Sequence, residues 1–139
     1  MKKKLHLIMP MGGAGSRFFK DGFVMPKPLI EINGKPFFYW ATRSLEKYID
    51  IADLTFVVLN EHITEFKIDE NIKKYFPKAK IVSVDFEDVK SGPVMTCLAG
   101  ISNIHDEQPI LFNDCDHMFR CDAFNRDANE GNWEFEGDC

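Results

Sequence analysis

Three glycines and two cations stand close together near the start of the chain. Gly12, Gly13 and Gly15 lack a Cβ, so their backbone N–H groups can approach a phosphate or a base closely. Arg17 follows two residues later, where a guanidinium can bind phosphate oxygens in a bidentate way. Lys27 lies between two prolines, which restrict the backbone around it and favour a fixed position for its side chain. These residue types indicate a site for a phosphorylated ligand, while a plain strand-to-helix turn and a solvated lysine stay open as alternatives.

The spacing of the glycines distinguishes this loop from two common phosphate-binding loops. The dinucleotide fingerprint G-x-G-x-x-G would need a glycine at the position of Phe18. The P-loop would need a Lys-Ser or Lys-Thr pair after its last glycine, and the sequence has neither pair there. The loop therefore belongs to neither type.

Short apolar segments alternate with helical patterns along the chain. Such runs are typical of strands that are covered on both faces, and they occur at Leu5–Met9, Leu54–Leu59, Lys80–Val84 and Ile110–Asn113. The segments between them predict one helix that begins near Pro36, a second that ends before Pro77 and a third that begins near Pro93. The predicted apolar face of the third helix consists of Val94, Leu98 and Ile101.

This alternation predicts an α/β fold with a doubly wound, mostly parallel sheet and helices on both faces. In the commonest strand order the first and fourth strands are neighbours, and ligands bind beyond their carboxyl ends. The first predicted strand leads into the glycine loop, and the fourth leads into residues 113–119, which contain Asp114 and Asp116. We therefore expect the glycines and the two aspartates to face one crevice.

Composition and charge restrict the classes of protein to which the chain can belong. Hydrophobic residues make up 45% of the 139 residues, and no apolar run approaches the roughly 20 residues that a membrane-spanning helix needs. The net charge of −5 arises within residues 121–139, where six acidic residues accompany one arginine, so the first 120 residues are neutral overall. This balance excludes a basic surface for nucleic acid. The first residues do not lead into a signal-peptide cleavage site, so we expect a cytoplasmic protein with reduced cysteines.

Two motifs in a fixed order resemble the N-terminal signature of the sugar-1-phosphate nucleotidylyltransferases, also called NDP-sugar pyrophosphorylases. They are MGGAGSRF, at residues 11–18, and PKPLIEINGKPFFYW, at residues 26–40. The family pattern is G-G-x-G-[ST]-R-[LF], then P-K-[PA]-[LM], then a G-[KR]-P that opens a helix. Pro10 and Met11 replace the residues usual before the glycines, and this variant, together with ILFNDCDHMF at residues 110–119, resembles the capsule-associated branch of the family. The resemblance covers roughly residues 5–120.

The resemblance implies a Rossmann-like GT-A nucleotidyltransferase fold, of which the chain holds the N-terminal, nucleotide-binding half. In the implied reaction, the phosphate of a sugar phosphate or similar small molecule attacks the α-phosphorus of a nucleoside triphosphate, and pyrophosphate leaves. Arg17 would stabilise the departing pyrophosphate, and Lys27 would bridge the attacking phosphate and the α-phosphate. Asp116 would hold a Mg²⁺ ion, with Asp114 as a second candidate ligand. The residues that would hold the nucleotide are Met11, Gly12, Gly13, Ala14, Gly15, Ser16 and Gly92.

Some of these assignments have alternatives in the residues themselves. Asp114 could cap a turn instead of binding the metal, or could point at a ribose. Gly92 precedes Pro93 and could simply begin a helix. The D-x-D pair formed by Asp114 and Asp116 also fits the metal motif of GT-A glycosyltransferases.

The chain differs from longer members of that family after Phe119, where residues resembling their acceptor-binding half are absent. We therefore interpret residues 1–139 as one truncated nucleotidyltransferase domain, with residues 1–120 as the nucleotide-binding half and residues 121–139 as an acidic tail. The expected partners are a nucleoside triphosphate and a phosphorylated sugar or similar small molecule, without nucleic acid or membrane, and self-association is left open. A GT-A-type glycosyltransferase that uses an NDP-sugar and a non-catalytic nucleotide-binding module remain alternative functions.

Overall fold

A four-stranded parallel sheet forms the centre of the fold. The computed structural model describes residues 4–13, 25–46, 50–102 and 104–115. The strands of this part are, in chain order, β1 (Lys4–Met11), β2 (Glu31–Ile32), β3 (Lys35–Pro36), β4 (Asp50–Leu59), β5 (Lys80–Val84) and β6 (Ile110–Phe112). The main sheet has the order β5-β4-β1-β6, and each neighbouring pair is parallel. The four predicted strands and the predicted pairing of the first with the fourth are therefore confirmed.

The α-helices of the described residues cover both faces of this sheet. They are α1 (Phe37–Glu46), α2 (Asn60–Phe66), α3 (Ile68–Tyr75), α4 (Phe86–Val89) and α5 (Pro93–Ile101). None of these helices combines the length and the apolar character needed to cross a bilayer.

One face of the sheet packs against α1 and α3. The buried side chains of this face alternate along β1, as expected for a strand. Phe38 of α1 lies at the centre, with its ring 5.6 Å from that of Phe56 in a T-shaped contact. Ile68 and Ile72 of α3 are fully buried in the same cluster. Burial of this apolar surface is the main force that holds the two helices on the sheet.

The other face of the sheet packs against α5, at a very short distance. A Cβ added to Gly100 would lie 2.7 Å from Cγ2 of Ile8 and 2.9 Å from Cγ2 of Val57, closer than atoms can approach without a shift. Thr96 is buried on the same side of the helix, whereas Val94 and Leu98 are 68% and 50% exposed. The predicted apolar face of this helix was therefore wrong, because close approach to the sheet requires small residues at the contact and leaves the large ones outside.

The segment between β4 and β5 also differs in part from the prediction. α3 ends at Tyr75, before Pro77, as predicted. A second helix, α2, precedes it, and the two are separated by Lys67, whose φ of 52° lies in the left-handed region. Neither glycine nor asparagine stands at that position, so the sequence gives no signal for the break.

Candidate functional site

The glycine loop and the aspartate segment leave the sheet at the same edge. β1 ends at Met11 and continues into Gly12 and Gly13, and β6, its direct neighbour, ends at Phe112 and continues into Asp114. The backbone N–H of Asn113 donates a hydrogen bond to the carbonyl of Ile8, 3.2 Å away, and so ties this exit to β1. Ligands of open α/β sheets bind beyond such carboxyl ends.

Gly12 and Gly13 meet different surroundings. A Cβ on Gly12 would lie 2.6 Å from Oγ1 of Thr96, a buried residue of α5, so the loop approaches the helix as closely as a bare backbone allows. A Cβ on Gly13 would meet no atom of the described residues within 4 Å, and Gly13 is exposed. Packing therefore explains the glycine at 12, whereas the described residues leave space at 13 into which a ligand can approach.

Asp114 acts electrostatically on the same helix. Burial raises the pKa of the Cys97 thiol in α5, and the negative charge of Asp114 raises it further. Thr96, the residue before Cys97, adjoins the glycine loop at Gly12. The glycine loop and the segment with Asp114 follow neighbouring parallel strands, so both begin at one edge of the sheet, as the strand order predicted.

Lys27 lies on a fixed turn next to α1. It is the first residue of a short 3-10 helix, Lys27–Leu29, in which the N–H of Leu29 donates to the carbonyl of Pro26 at 2.9 Å. Pro28 and Leu29 are buried, whereas Lys27 is only partly buried. The residues on both sides of the lysine therefore hold its backbone in place, in agreement with the expectation from the two prolines.

A small hairpin supports this turn. β2 and β3 pair antiparallel through Asn33 and Gly34, which both have positive φ, 54° and 79°. The Trp40 indole N–H donates to the carbonyl of Ile32 at 2.8 Å and lies 3.2 Å from that of Lys35. This hairpin was not predicted from the sequence, although an Asn-Gly pair between short strands is the usual signal for one.

Gly92 has a conformational reason to be glycine. Its φ of 147° is one that L-residues rarely adopt, and it directly precedes the first residue of α5, Pro93. Its N–H donates to the carbonyl of Val89 at 3.2 Å, and its own carbonyl accepts from the N–H of Met95 at 3.2 Å. These bonds agree with the helix-start alternative, and the nucleotide contact of Gly92 stays a prediction.

Five of the predicted site residues lie outside the described part of the chain. They are Ala14, Gly15, Ser16, Arg17 and Asp116. Among the residues that are described, no group of three His, Cys, Asp or Glu side chains is arranged to hold a metal ion.

Two polar residues at this edge were missed by the sequence analysis. Asn60 follows β4 and Asp85 follows β5, and the side-chain amide of Asn60 donates to Oδ1 of Asp85 at 2.6 Å. Both side chains lie at the carboxyl edge of the sheet, the same edge as the glycine loop. The signal that could have found them is a polar residue placed directly after each buried parallel strand.

Comparisons with known proteins identify the family of the domain. A family model described as MobA-like NTP transferase domain matches residues 8–130. The chain is 32% identical over 79 residues to 2-C-methyl-D-erythritol 4-phosphate cytidylyltransferase of Clostridium perfringens (strain SM101 / Type A), which covers 57% of this chain and 34% of that protein.

A solved structure shares the fold. The nucleoside-diphosphate-sugar pyrophosphorylase from Vibrio cholerae RC9 superposes with a TM-score of 0.64 at 24% identity, covering 82% of this chain and 50% of that chain. This chain thus spans half the length of the solved relative and a smaller share of the curated one. With most of its length matched by the family model, the chain belongs to the family of MobA-like NTP transferase domains.

Proposed function

We infer that this domain binds a nucleoside triphosphate between the ends of β1 and β6 and transfers its nucleotidyl group to a phosphorylated small molecule. The observation that carries this inference is that the glycine loop and the segment with Asp114 leave two neighbouring parallel strands at the same edge of the sheet. Open space at Gly13 lets a phosphate approach the loop backbone from the side that packing does not use. The family supports the same chemistry, since one relative is named a cytidylyltransferase and another a pyrophosphorylase.

In such a transfer the acceptor phosphate is itself the nucleophile, so the chain needs to supply only position and charge. Lys27, on its fixed turn, supplies a cation for the attacking phosphate and the α-phosphate. Arg17 supplies a bidentate cation for the pyrophosphate that leaves. Both roles rest on the motifs at residues 11–18 and 26–40.

The carboxylates after β6 suit a magnesium ion. Asp114 is exposed at this edge of the sheet, and Asp116 follows two residues later. Oxygen ligands of this kind are those that Mg²⁺ prefers, usually one or two carboxylates together with substrate phosphates. A bound Mg²⁺ ion would neutralise charge on the phosphates, with Asp116 as its main ligand and Asp114 as the second.

The motifs support a narrower proposal for the acceptor. Their order and the segment at residues 110–119 favour a sugar phosphate and the capsule-associated branch, in a cytoplasmic enzyme. A second candidate is a module that binds the nucleotide without transfer.

Isothermal titration tests the binding step. The protein is titrated with CTP, UTP, GTP, ATP and dTTP in Mg²⁺, and with UDP-glucose for the glycosyltransferase alternative. One triphosphate should bind much more tightly than UDP-glucose, and Gly13→Val should lose this binding while its circular dichroism stays native. Absence of triphosphate binding, or equal binding by Gly13→Val, would exclude the proposed site.

Pyrophosphate release tests the transfer step. The preferred triphosphate is incubated with a panel of sugar phosphates and other phosphorylated small molecules. Release that depends on one acceptor supports the transferase. Tight binding without release for any acceptor favours the binding module.

A further inference from the structure

Charged side chains cross the whole sheet at its amino edge, opposite the candidate site. Lys80 of β5 lies 3.3 Å from Oδ1 of Asp53 in β4, and Oδ2 of Asp53 lies 3.2 Å from Nδ1 of His6 in β1. Nε2 of His6 lies 2.9 Å from each carboxylate oxygen of Asp106, in the segment that leads into β6. These side chains follow the strand order β5-β4-β1-β6, in the sequence Lys80, Asp53, His6 and Asp106. Their charges alternate in sign if His6 is protonated.

Local irregularities of the backbone place these groups. The pairing of β1 with β4 shifts by one residue between Leu5 and His6, and this shift brings Asp53 opposite His6. Asp106 accepts a second hydrogen bond, at 2.9 Å, from the backbone N–H of Gln108. The backbone N–H of His6 donates to the carbonyl of Pro109 at 2.9 Å. Both the side chain and the backbone of His6 thus hold the start of β6.

The two carboxylates beside His6 favour a charged ring. A carboxylate can only accept hydrogen bonds, so Nε2, which is hydrogen-bonded to Asp106, must carry a hydrogen. Nδ1 lies 3.2 Å from Oδ2 of Asp53, within ion-pair distance of a second carboxylate, which favours a hydrogen on this nitrogen too. A ring with hydrogen on both nitrogens is the imidazolium cation. A neutral ring would direct one lone pair at Asp53 or Asp106, and since the His6 side chain is only 4% exposed, water could not replace the lost bond.

We propose that His6 is an imidazolium that positions β6, by joining Asp53 to Asp106, and that loss of its ring proton loosens β6 from β1. The described charged groups at His6 are Asp53 from β4 and Asp106 from the segment before β6, with Lys80 of β5 held by Asp53. In the described sheet β6 has three residues and pairs with β1, so the contacts at its start add to a short strand pairing. This inference goes beyond the proposed function, because it requires no nucleotide.

The pKa of Asp106 agrees with this geometry. It is lowered first by the hydrogen bond from Gln108 and then by the hydrogen bond from His6, with smaller contributions from the charges of His6 and Lys80. Both hydrogen bonds therefore favour the ionised form of the Asp106 carboxylate.

Nuclear magnetic resonance of the ¹⁵N-labelled histidine rings tests the protonation. At pH 6 both nitrogens of His6 should show the chemical shifts of protonated imidazolium nitrogens. A single protonated nitrogen at this pH would overturn the proposal.

Hydrogen exchange tests the effect on β6. The backbone amide of Asn113 donates to the carbonyl of Ile8. Its protection factor should fall about tenfold when the pH rises far enough to deprotonate His6. In Asp106→Asn the new amide can donate to Nε2 of a neutral ring and still accept from Gln108, so the protection should persist and lose its pH dependence. Glu107→Gln removes one charge from the same segment and should keep the native pH dependence. An Asp106→Asn protein with the pH dependence of Glu107→Gln would overturn the proposal.

Discussion

At the scale of single residues, Gly12 and Gly13 offer a matched pair that separates packing from ligand binding. Gly12→Ala should lower the free energy of unfolding by about 1–3 kcal/mol, because the new Cβ would lie 2.6 Å from Oγ1 of Thr96. Gly13→Ala should leave stability nearly unchanged, since no atom of the described part of the chain lies within 4 Å of its Cβ position. Denaturant unfolding measures both values.

Thr96→Ala provides the control for this pair. It removes Oγ1 and Cγ2, the two atoms closest to a Cβ at position 12, so the double variant Gly12→Ala/Thr96→Ala should be more stable than the sum of its single changes indicates. Strict additivity would contradict the contact. The sequence could predict that these glycines matter, but the separate reasons for Gly12 and Gly13 depend on a helix more than eighty residues away.

Arg17 carries a prediction about the ligand rather than about the fold. If its guanidinium binds the terminal phosphates, Arg17→Ala should weaken binding of the preferred triphosphate by at least about tenfold and barely change binding of the matching monophosphate. Titration calorimetry of both ligands against wild type and variant measures the difference. An equal loss for the two ligands would assign Arg17 to another part of the nucleotide.

At the scale of elements, the sheet was easier to predict than the helices. The four strands are apolar, and the central strands β1 and β4 are buried along most of their length whereas the edge strands β5 and β6 are partly exposed. Residue type alone located them, and the commonest strand order placed β1 beside β6. The buried face of α5 could not be found in this way. Its contact with the sheet is made by Gly100 and Thr96, and hydrophobic periodicity selects large apolar residues instead.

The close contact of α5 with the sheet predicts a large effect at Gly100. Gly100→Ala should destabilise the protein by about 1–3 kcal/mol although alanine favours helices, because its Cβ would overlap Ile8 and Val57. Leu98→Ala, on the exposed side of the same helix, should change the free energy of unfolding much less. If Gly100→Ala stabilised the protein, helix propensity would outweigh packing and α5 would not lie as close to the sheet as described.

At the scale of the whole molecule, a buried histidine makes stability depend on pH. Nδ1 of His62 is buried without a hydrogen-bond partner in the described structure, and burial lowers the pKa of this ring, against a smaller opposing effect of Glu61 and Glu65. Above the ordinary pKa of 6.5 the His62 ring is neutral in the folded and the unfolded protein, so it adds no pH dependence to the free energy of unfolding. Below it the unfolded chain binds a proton that the folded chain resists, so stability falls as the pH drops from 6.5 towards the lowered pKa.

His62→Phe should flatten this part of the pH–stability curve, because it keeps an aromatic ring next to Phe66 and removes the titrating group. Urea unfolding at several pH values between 7 and 5 measures the slope. His105→Gln, at an exposed position, should keep the native slope. An unchanged slope in His62→Phe would show that another group causes the acid loss.

The apolar surface beside α5 gives a further prediction for the whole molecule. Phe112 is the register partner of Ile8, whose side chain contacts α5, so Phe112 faces the same side of the sheet as that helix. The α5 patch consists of the exposed apolar residues on this side, which are Val94, Met95, Leu98, Ile110 and Phe112. Exposed apolar patches of this kind favour association or binding of other apolar groups.

The 139-residue chain should therefore bind a hydrophobic dye in its native state and self-associate at high concentration. Leu98→Lys should reduce both effects because it places a charge within the α5 patch. Ile32→Lys is the matched control, since Ile32 and Leu98 are each 50% exposed but Ile32 lies on the β2–β3 hairpin. Dye fluorescence and sedimentation velocity measure the outcome, and circular dichroism checks that both variants stay folded. A wild-type protein that is monomeric and does not bind the dye would contradict the role of the patch, as would an equal effect of the two lysine substitutions.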